Sequence, residues 1–73
     1  MAATNTTVNV LVNGEETELD DGLTVAGLLE TLGLRSRRVA VELNRDVLSR
    51  ERWQQTTLQE RDQIEIVQFV GGG

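Results

Sequence analysis

The sequence contains no cysteine, no histidine and no proline. Without cysteine there can be no disulfide and no thiolate ligand, and without histidine the commonest metal ligand and neutral-pH proton shuttle are missing. A chain of 73 residues forms one domain at most, and a domain of this size buries only about 60% of the surface that its unfolded chain exposes. We therefore expect a protein that is not an enzyme and that binds no metal and no cofactor itself.

Basic residues are scarce relative to acidic ones. Twelve Asp and Glu residues against seven Arg residues and no Lys give a net charge of -5, which repels both a nucleic-acid backbone and an anionic membrane surface. Residues 1–7 are polar and precede no apolar run long enough for a signal peptide or a membrane span. The sequence predicts a soluble, cytoplasmic protein whose partners include neither nucleic acid nor membrane.

Alternating apolar residues predict a hairpin at the start of the chain. Three valines recur at every second position, at Val8, Val10 and Val12. This period indicates a strand that is buried on its valine face. Asn13-Gly14 accepts the positive φ angles of a type I′ turn, so a second strand is predicted from Glu15 to about Asp20, with Thr17 and Leu19 facing inward.

A short helix is predicted after a turn at Asp21-Gly22. Its apolar residues are spaced at i, i+3, i+4 and i+7, at Val25, Leu28, Leu29 and Leu32. Thr24 is placed to cap the start of the helix, and Gly33 to end it in the left-handed conformation. The helix should run from about Val25 to Leu32.

The second half of the chain predicts three more strands. The third strand has alternating apolar residues at Val39, Val41 and Leu43. Asn44-Arg45-Asp46 predicts a turn into the short strand Val47-Leu48, and a capping serine predicts a helical or 3₁₀ turn over 49–53 that brings Trp53 onto the core. Residues 57–62 are a predicted loop, and the last strand runs from Gln63 to Val70.

These elements predict an α+β roll, in which a mixed sheet of four to five strands packs on one short helix. The whole chain, residues 1–73, forms a single domain in this prediction, because no internal repeat or low-complexity segment indicates a second one. Residues 1–6 are expected to be disordered, and residues 71–73 to form a flexible tail.

The three glycines Gly71, Gly72 and Gly73 are the most informative feature of the sequence. Glycine combines minimal width with backbone freedom, so this segment can thread a channel that is closed to side chains. Three residues extend at most roughly 10 Å, which is enough to carry a terminal carboxylate into the active site of another protein. The alternative is a frayed end or a remnant of cloning.

A partner that captures this tail needs a second contact, because ordering three glycines costs on the order of 3 to 6 kcal/mol of backbone entropy. If Ile64 and Ile66 face the helix, strand alternation places apolar residues on the opposite face of the sheet. The candidate partner-binding residues on that face are Leu11, Ala40, Val67 and Phe69. The alternative is a twist or bulge that packs Phe69 against the edge of the core.

Two charged clusters have structural explanations. The first hairpin carries five acidic residues, Glu15, Glu16, Glu18, Asp20 and Asp21. Their alternation with inward residues favours a solvated strand face over a metal or acid/base site, and neither a calcium loop nor a phosphate-binding glycine loop is present. Arg35, Arg37 and Arg38 follow the helix, where its dipole favours cations, and they can also steer an acidic partner.

Several motifs occur together in a family-specific order. They are Asn13-Gly14 after a valine strand, Leu23-Thr24-Val25 with Leu28-Leu29, Val41-Glu42-Leu43-Asn44, Arg52-Trp53, and the run from Asp62 to Gly73. Over residues 8–73 the chain resembles ThiS-type sulfur carrier proteins of thiamine biosynthesis, which share the β-grasp fold of ubiquitin. The resemblance implies that the first and last strands lie side by side and parallel in the centre of the sheet.

The resemblance also implies a chemistry. An E1-like adenylating enzyme would use MgATP to convert the Gly73 carboxylate into an acyl-adenylate, and sulfur from a cysteine desulfurase or a similar donor would turn this into a thiocarboxylate. A thiazole synthase would then take the sulfur for the thiazole ring of thiamine. Gly72 and Gly73 match the terminal Gly-Gly of the family, whereas Gly71 and the extension 1–7 are additional.

Three other interpretations stay open at this point. The small subunit of molybdopterin synthase, or another sulfur carrier, would use the same tail. A ubiquitin-like modifier is also possible, although a chain without lysine cannot form side-chain isopeptide chains of itself. The third interpretation is an interaction module whose tail is inert, and it differs from a carrier in keeping its function when Gly72-Gly73 is deleted.

Overall fold

The computed structural model describes residues 6–34 and 38–69. In chain order, the elements of this part are β1 (Thr7–Val12), β2 (Glu15–Asp20), α1 (Val25–Thr31), β3 (Val39–Leu43), β4 (Asp46–Leu48), a 3₁₀ helix (Arg50–Gln55) and β5 (Gln63–Gln68). The predicted disordered start and glycine tail lie outside the described residues, except for Thr6, whose carbonyl accepts a hydrogen bond of 2.6 Å from the Asp21 N–H. Val70, the predicted end of the last strand, also lies outside them.

One mixed sheet joins the five described strands in the order β2-β1-β5-β3-β4. The parallel pair is β1 and β5, with Leu11 opposite Gln63 and Val12 opposite Ile64, and the other neighbours are antiparallel. β5 is therefore the middle strand. The predicted α+β fold and the parallel pairing of the first and last strands are confirmed.

Both hairpins turn through residues with positive φ. Asn13 and Gly14 have φ of 52° and 85°, which confirms the predicted I′-type turn. Asn44 and Arg45 have φ of 51° and 74°, and Asp46 already pairs with Leu43. The second turn is thus one residue shorter than predicted.

The helix begins as predicted and ends one residue earlier. The Thr24 Oγ1 accepts from the Gly27 N–H at 3.1 Å, which is a side-chain cap. At the other end, the Leu34 N–H donates to the Leu29 carbonyl and the Gly33 N–H to the Glu30 carbonyl. This is the Schellman arrangement, with Gly33 in the left-handed conformation at φ 75°.

The prediction that Leu32 belongs to the apolar face of the helix is wrong. Leu32 is the C-terminal cap residue of α1, and its side chain is 47% exposed. The chain reverses at Gly33, and Leu34 packs against the core. The i+7 position is lost because the Schellman turn ends the helix before that residue can face the sheet.

The core lies between the sheet and the two helices. Its buried residues are Val10, Leu19, Val25, Leu28, Leu29, Val39, Val41, Trp53, Leu58, Ile64 and Ile66. The predicted placement of Trp53 on the core is confirmed, and its Nε1–H donates to the Leu48 carbonyl at 3.1 Å. Ser49 precedes the 3₁₀ helix without the predicted side-chain cap, although its carbonyl accepts from the Arg52 N–H at 2.9 Å.

The segment 57–62 is a loop, as predicted, but one of its residues belongs to the core. Leu58 is 1% exposed, and its N–H donates to the Leu23 carbonyl at 2.9 Å. An isolated bridge between Thr24 and Thr57 adds a second connection to the start of α1. The loop that leads into β5 is thereby held at the start of the helix.

Candidate functional site at the end of β5

The two faces of β5 differ in burial. Ile64 is fully buried and Ile66 is 9% exposed, whereas Val67 and Phe69 are 56% and 55% exposed. Ile64 and Ile66 therefore face the core, and Val67 lies on the side of the sheet that neither helix of the described residues covers. Phe69 is not part of the core.

Three of the four predicted contact residues lie together. Ala40 of β3 is directly opposite Val67 of β5. One residue beyond the end of β5, the Phe69 N–H donates to the Arg38 carbonyl at 2.9 Å, so the ladder between these strands continues. Because Phe69 follows Val67 by two positions in extended backbone, it lies on the same side of the sheet.

The fourth predicted residue, Leu11, lies farther away. It is opposite Gln63, four residues before Val67 and therefore about 13 Å away along the strand. Gln63 and Glu65 are exposed and lie on the same face between them. Leu11 is half-buried and does not adjoin the other three.

The sequence-based prediction missed Val47. This residue of β4 is 77% exposed and lines one shallow depression with Ala40 and Val67. Leu48 packs against the core, and its neighbour in a strand must face the other way. The sequence of this short strand does not show which of the two residues faces inward. We call Ala40, Val47, Val67 and Phe69 the tail-root patch.

Polar residues form the rim of the depression beside the tail-root patch. Apart from the buried Val41, its other lining residues are Glu42, Arg45, Gln63 and Glu65. An apolar centre with a polar, exposed rim is typical of a surface at which a protein binds another protein. The arrangement can support a contact next to the residues that lead into the glycine tail.

The predicted acidic cluster lies on an outer strand of the sheet. Glu15, Glu16, Glu18, Asp20 and Asp21 are all exposed. Glu18 Oε2 accepts from the Thr7 hydroxyl at 2.8 Å. Across residues 6–34 and 38–69, no group of three or more acidic residues is arranged to hold a metal ion.

Some predicted residues lie outside the described part of the chain. These are the tail glycines Gly71, Gly72 and Gly73 and the arginines Arg35 and Arg37. The third arginine, Arg38, is exposed directly before β3.

Neither helix of the described segments is long and apolar enough to cross a membrane.

Comparison with known proteins gives consistent results. The family model described as the ThiS family matches residues 4–73. The sulfur carrier protein ThiS of Bacillus subtilis is 40% identical over 63 residues, which are 85% of this chain and 96% of that protein. A crystal structure of the thiamine biosynthesis protein ThiS from Geobacter metallireducens superposes with a TM-score of 0.76 at 39% identity, covering 90% of this chain and all of that one.

A second kind of relative is much longer. The thiazole synthase of Magnetococcus marinus is 46% identical over 66 residues, or 90% of this chain. The chain spans only about a fifth, 20%, of the length of the thiazole synthases that it matches. A segment similar to this chain is thus part of those larger proteins.

Proposed function

Because the chain belongs to the ThiS family, we propose that it is a sulfur carrier protein of thiamine biosynthesis, which serves partner enzymes as a co-substrate. The observation that carries the proposal is the extent of the family match, which reaches residue 73 and so includes the glycine tail. Nearly the full length of the Bacillus subtilis carrier, 96%, is covered. The names of the relatives favour thiamine biosynthesis over the molybdopterin pathway.

In the proposed reaction, the Gly73 carboxylate attacks the α-phosphate of MgATP in the active site of an E1-like enzyme. Pyrophosphate leaves and an acyl-adenylate forms. The persulfide of a donor, for which we propose a cysteine desulfurase, then displaces AMP to give an acyl disulfide on Gly73. A thiol reductant cleaves the S–S bond, which leaves a thiocarboxylate on Gly73 and a disulfide on the thiol. Gly71 and Gly72 thread the partner's channel, because they have no side chains to exclude them. We place the reaction in the cytoplasm, where the activating enzyme has MgATP.

The carrier's second contact with its partners is the tail-root patch. Val67 and Phe69 are more than half exposed, and Ala40 lies directly opposite Val67. Burial of these side chains can offset the entropy of ordering the tail. Leu11 also contacts the partner if the interface extends about 13 Å along the strand from Val67, past Gln63 and Glu65.

Thiazole synthase is the proposed acceptor of the sulfur. The support is that two thiazole synthases contain a segment similar to this chain. A carrier segment within the same polypeptide as the acceptor raises its effective concentration. In this proposal the carrier meets the acceptor through the tail-root patch.

Intact-protein mass spectrometry tests the proposed function directly. The wild-type chain is incubated with an E1-like activating enzyme, MgATP and a sulfur source, and the expected product has one sulfur in place of one oxygen at its C-terminus. Omission of MgATP is the control and should leave the mass unchanged. An unchanged mass with MgATP present, and with an enzyme that activates a known ThiS protein, would contradict the proposal.

Phe69→Asp is expected to weaken binding of the activating enzyme by about 30-fold or more, the loss typical of a central apolar contact. The charge would have to be desolvated in an apolar interface, whereas in the free carrier it lies in water. The melting temperature should stay near the wild-type value. Binding is measured by isothermal titration calorimetry.

Leu32→Asp is the matched control for this variant. Leu32 is 47% exposed, against 55% for Phe69, but it lies at the C-terminal end of α1. The Leu32→Asp variant should bind the activating enzyme with the affinity of the wild type. If Phe69→Asp binds normally, or if both variants lose the same affinity, the tail-root patch is not the contact.

A further inference from the structure

Two turn asparagines direct their side chains to β5. Asn13 Oδ1 accepts from the Ile66 N–H at 2.7 Å, and Asn13 Nδ2 donates to the Ile66 carbonyl at 3.3 Å. Asn44 Oδ1 accepts from the Gln63 N–H at 2.9 Å. The two hairpin turns thus hold β5 at two different points, one at its start and one close to its exposed end.

The Asn13 side chain extends the parallel pairing of β5. Backbone pairing with β1 reaches Ile64, which is opposite Val12 and whose carbonyl accepts from the Asn13 N–H at 2.9 Å. The backbone then turns away into the hairpin. The Asn13 amide group bonds both the N–H and the carbonyl of Ile66, as a neighbouring strand residue would.

Beyond Ile66, the pairing of β5 becomes one-sided in the part of the chain that the structure describes. On the β3 side, Gln68 is opposite Val39 and the Phe69 N–H reaches the Arg38 carbonyl. On the β1 side, the contact of Asn13 with Ile66 is the last one described. Residues up to Ile66 are therefore held from both sides, and Val67 to Phe69 from one.

We infer that Asn13 is a positioning residue that fixes the point at which two-sided pairing of β5 ends. With Asn13 in place, the part of β5 that is held from one side starts at Val67. Without the Asn13 side chain, two-sided pairing ends at Ile64, and two further residues, or roughly 7 Å, become part of the loosely held segment.

The effect on sulfur transfer rests on the proposed function, whereas the effect on the strand does not. A partner that captures a longer loose segment must order more backbone. The partner must also bind Val67 and Phe69 when the preceding residues of β5 are no longer held from both sides. Loss of the Asn13 side chain therefore weakens capture of the carrier, while the chemistry at Gly73, once it is bound, is unchanged.

Asn13→Gly isolates this effect, because glycine also accepts positive φ and the turn stays unstrained. Asn44→Gly is the matched control: it too replaces a turn asparagine that bonds β5, with φ of 51° against 52°. Asn13→Asp is a second variant, which keeps an acceptor for the Ile66 N–H and loses the donor to the Ile66 carbonyl.

Amide hydrogen exchange of the isolated carrier, measured by NMR, tests the inference. In Asn13→Gly, the Ile66 and Phe69 amides should exchange about 10-fold faster than in the wild type, the range expected for one or two lost hydrogen bonds, although the acceptor of Phe69 is untouched. Asn44→Gly should keep the exchange rates of both amides within about 2-fold of the wild-type rates. Asn13→Asp should give rates between those of the wild type and Asn13→Gly. The exchange rate of the Val10 amide, in the core, shows how much of any change comes from a change in global stability.

Steady-state kinetics with the activating enzyme give the second measurement. Asn13→Gly should raise KM for the carrier about 5-fold with kcat unchanged, the pattern of weakened capture. An equal change of Phe69 exchange in Asn13→Gly and Asn44→Gly would overturn the inference, as would a lowered kcat at unchanged KM. If the wild type accepts no sulfur, the proposed function fails, and the exchange data still decide the role of Asn13 in the strand.

Discussion

Deletion of Gly72 and Gly73 is expected to abolish thiocarboxylate formation while leaving the free energy of unfolding unchanged. The variant lacks the Gly73 carboxylate, which we propose is the reacting group, and a carboxylate on Gly71 would lie roughly 7 Å short of the activating centre. Displacements far smaller than this already slow positioned reactions strongly. The described core residues run from Val10 to Ile66, so the deletion leaves all of them in place.

Intact-protein mass spectrometry measures thiocarboxylate formation, and urea denaturation measures the free energy of unfolding. Deletion of Ala2 and Ala3 is the control, since it removes two small residues from the other end of the sequence and should leave sulfur loading at the wild-type level. If the chain without Gly72 and Gly73 still takes up sulfur, Gly73 is not the site. If it keeps a measurable biological function, the interpretation as an interaction module with an inert tail gains support.

Ile64→Ala is expected to lower the free energy of unfolding by about 2 to 5 kcal/mol. Ile64 is fully buried in the middle strand, opposite Val12 on one side and Leu43 on the other. Truncation leaves a cavity where the two halves of the sheet meet the helix. A domain of this length has a total stability of roughly 4 to 11 kcal/mol, so a large fraction of the variant could be unfolded at physiological temperature.

The matched control for this variant is Val67→Ala, which truncates an apolar residue of the same strand that is 56% exposed. Its free energy of unfolding should change by no more than about 0.5 kcal/mol. Urea denaturation followed by the fluorescence of the buried Trp53 measures both variants. Similar losses in Ile64→Ala and Val67→Ala would contradict the assignment of the buried and exposed faces of β5.

The first hairpin could be predicted from sequence because two independent signals agree there. The valine alternation fixes the inward face, and Asn13-Gly14 fixes the turn, so β2 begins and ends where the pattern placed it. The end of the helix could not be predicted as well. The i+7 spacing includes Leu32, but only the left-handed turn at Gly33 decides whether that residue can still reach the core.

The candidate site was partly predictable for a similar reason. Exposure of Val67 and Phe69 follows from the burial of Ile64 and Ile66 by strand alternation, which is a local property. The separation of Leu11 from them depends on the register of β1 against β5, and a local pattern does not contain that register. The role of the turn asparagines was hidden too, because a sequence shows only that they tolerate positive φ.

The position of β5 in the sheet has a consequence for biosynthesis. It lies between the hairpin β1-β2 and the hairpin β3-β4, so a chain that stops before β5 has two separate two-stranded hairpins, which are marginally stable in water. Completion of the sheet waits for the segment that leads directly into the glycines. A prematurely terminated chain would therefore stay unfolded and be open to proteolysis, instead of persisting as a folded protein that binds the proposed partner enzymes without carrying sulfur.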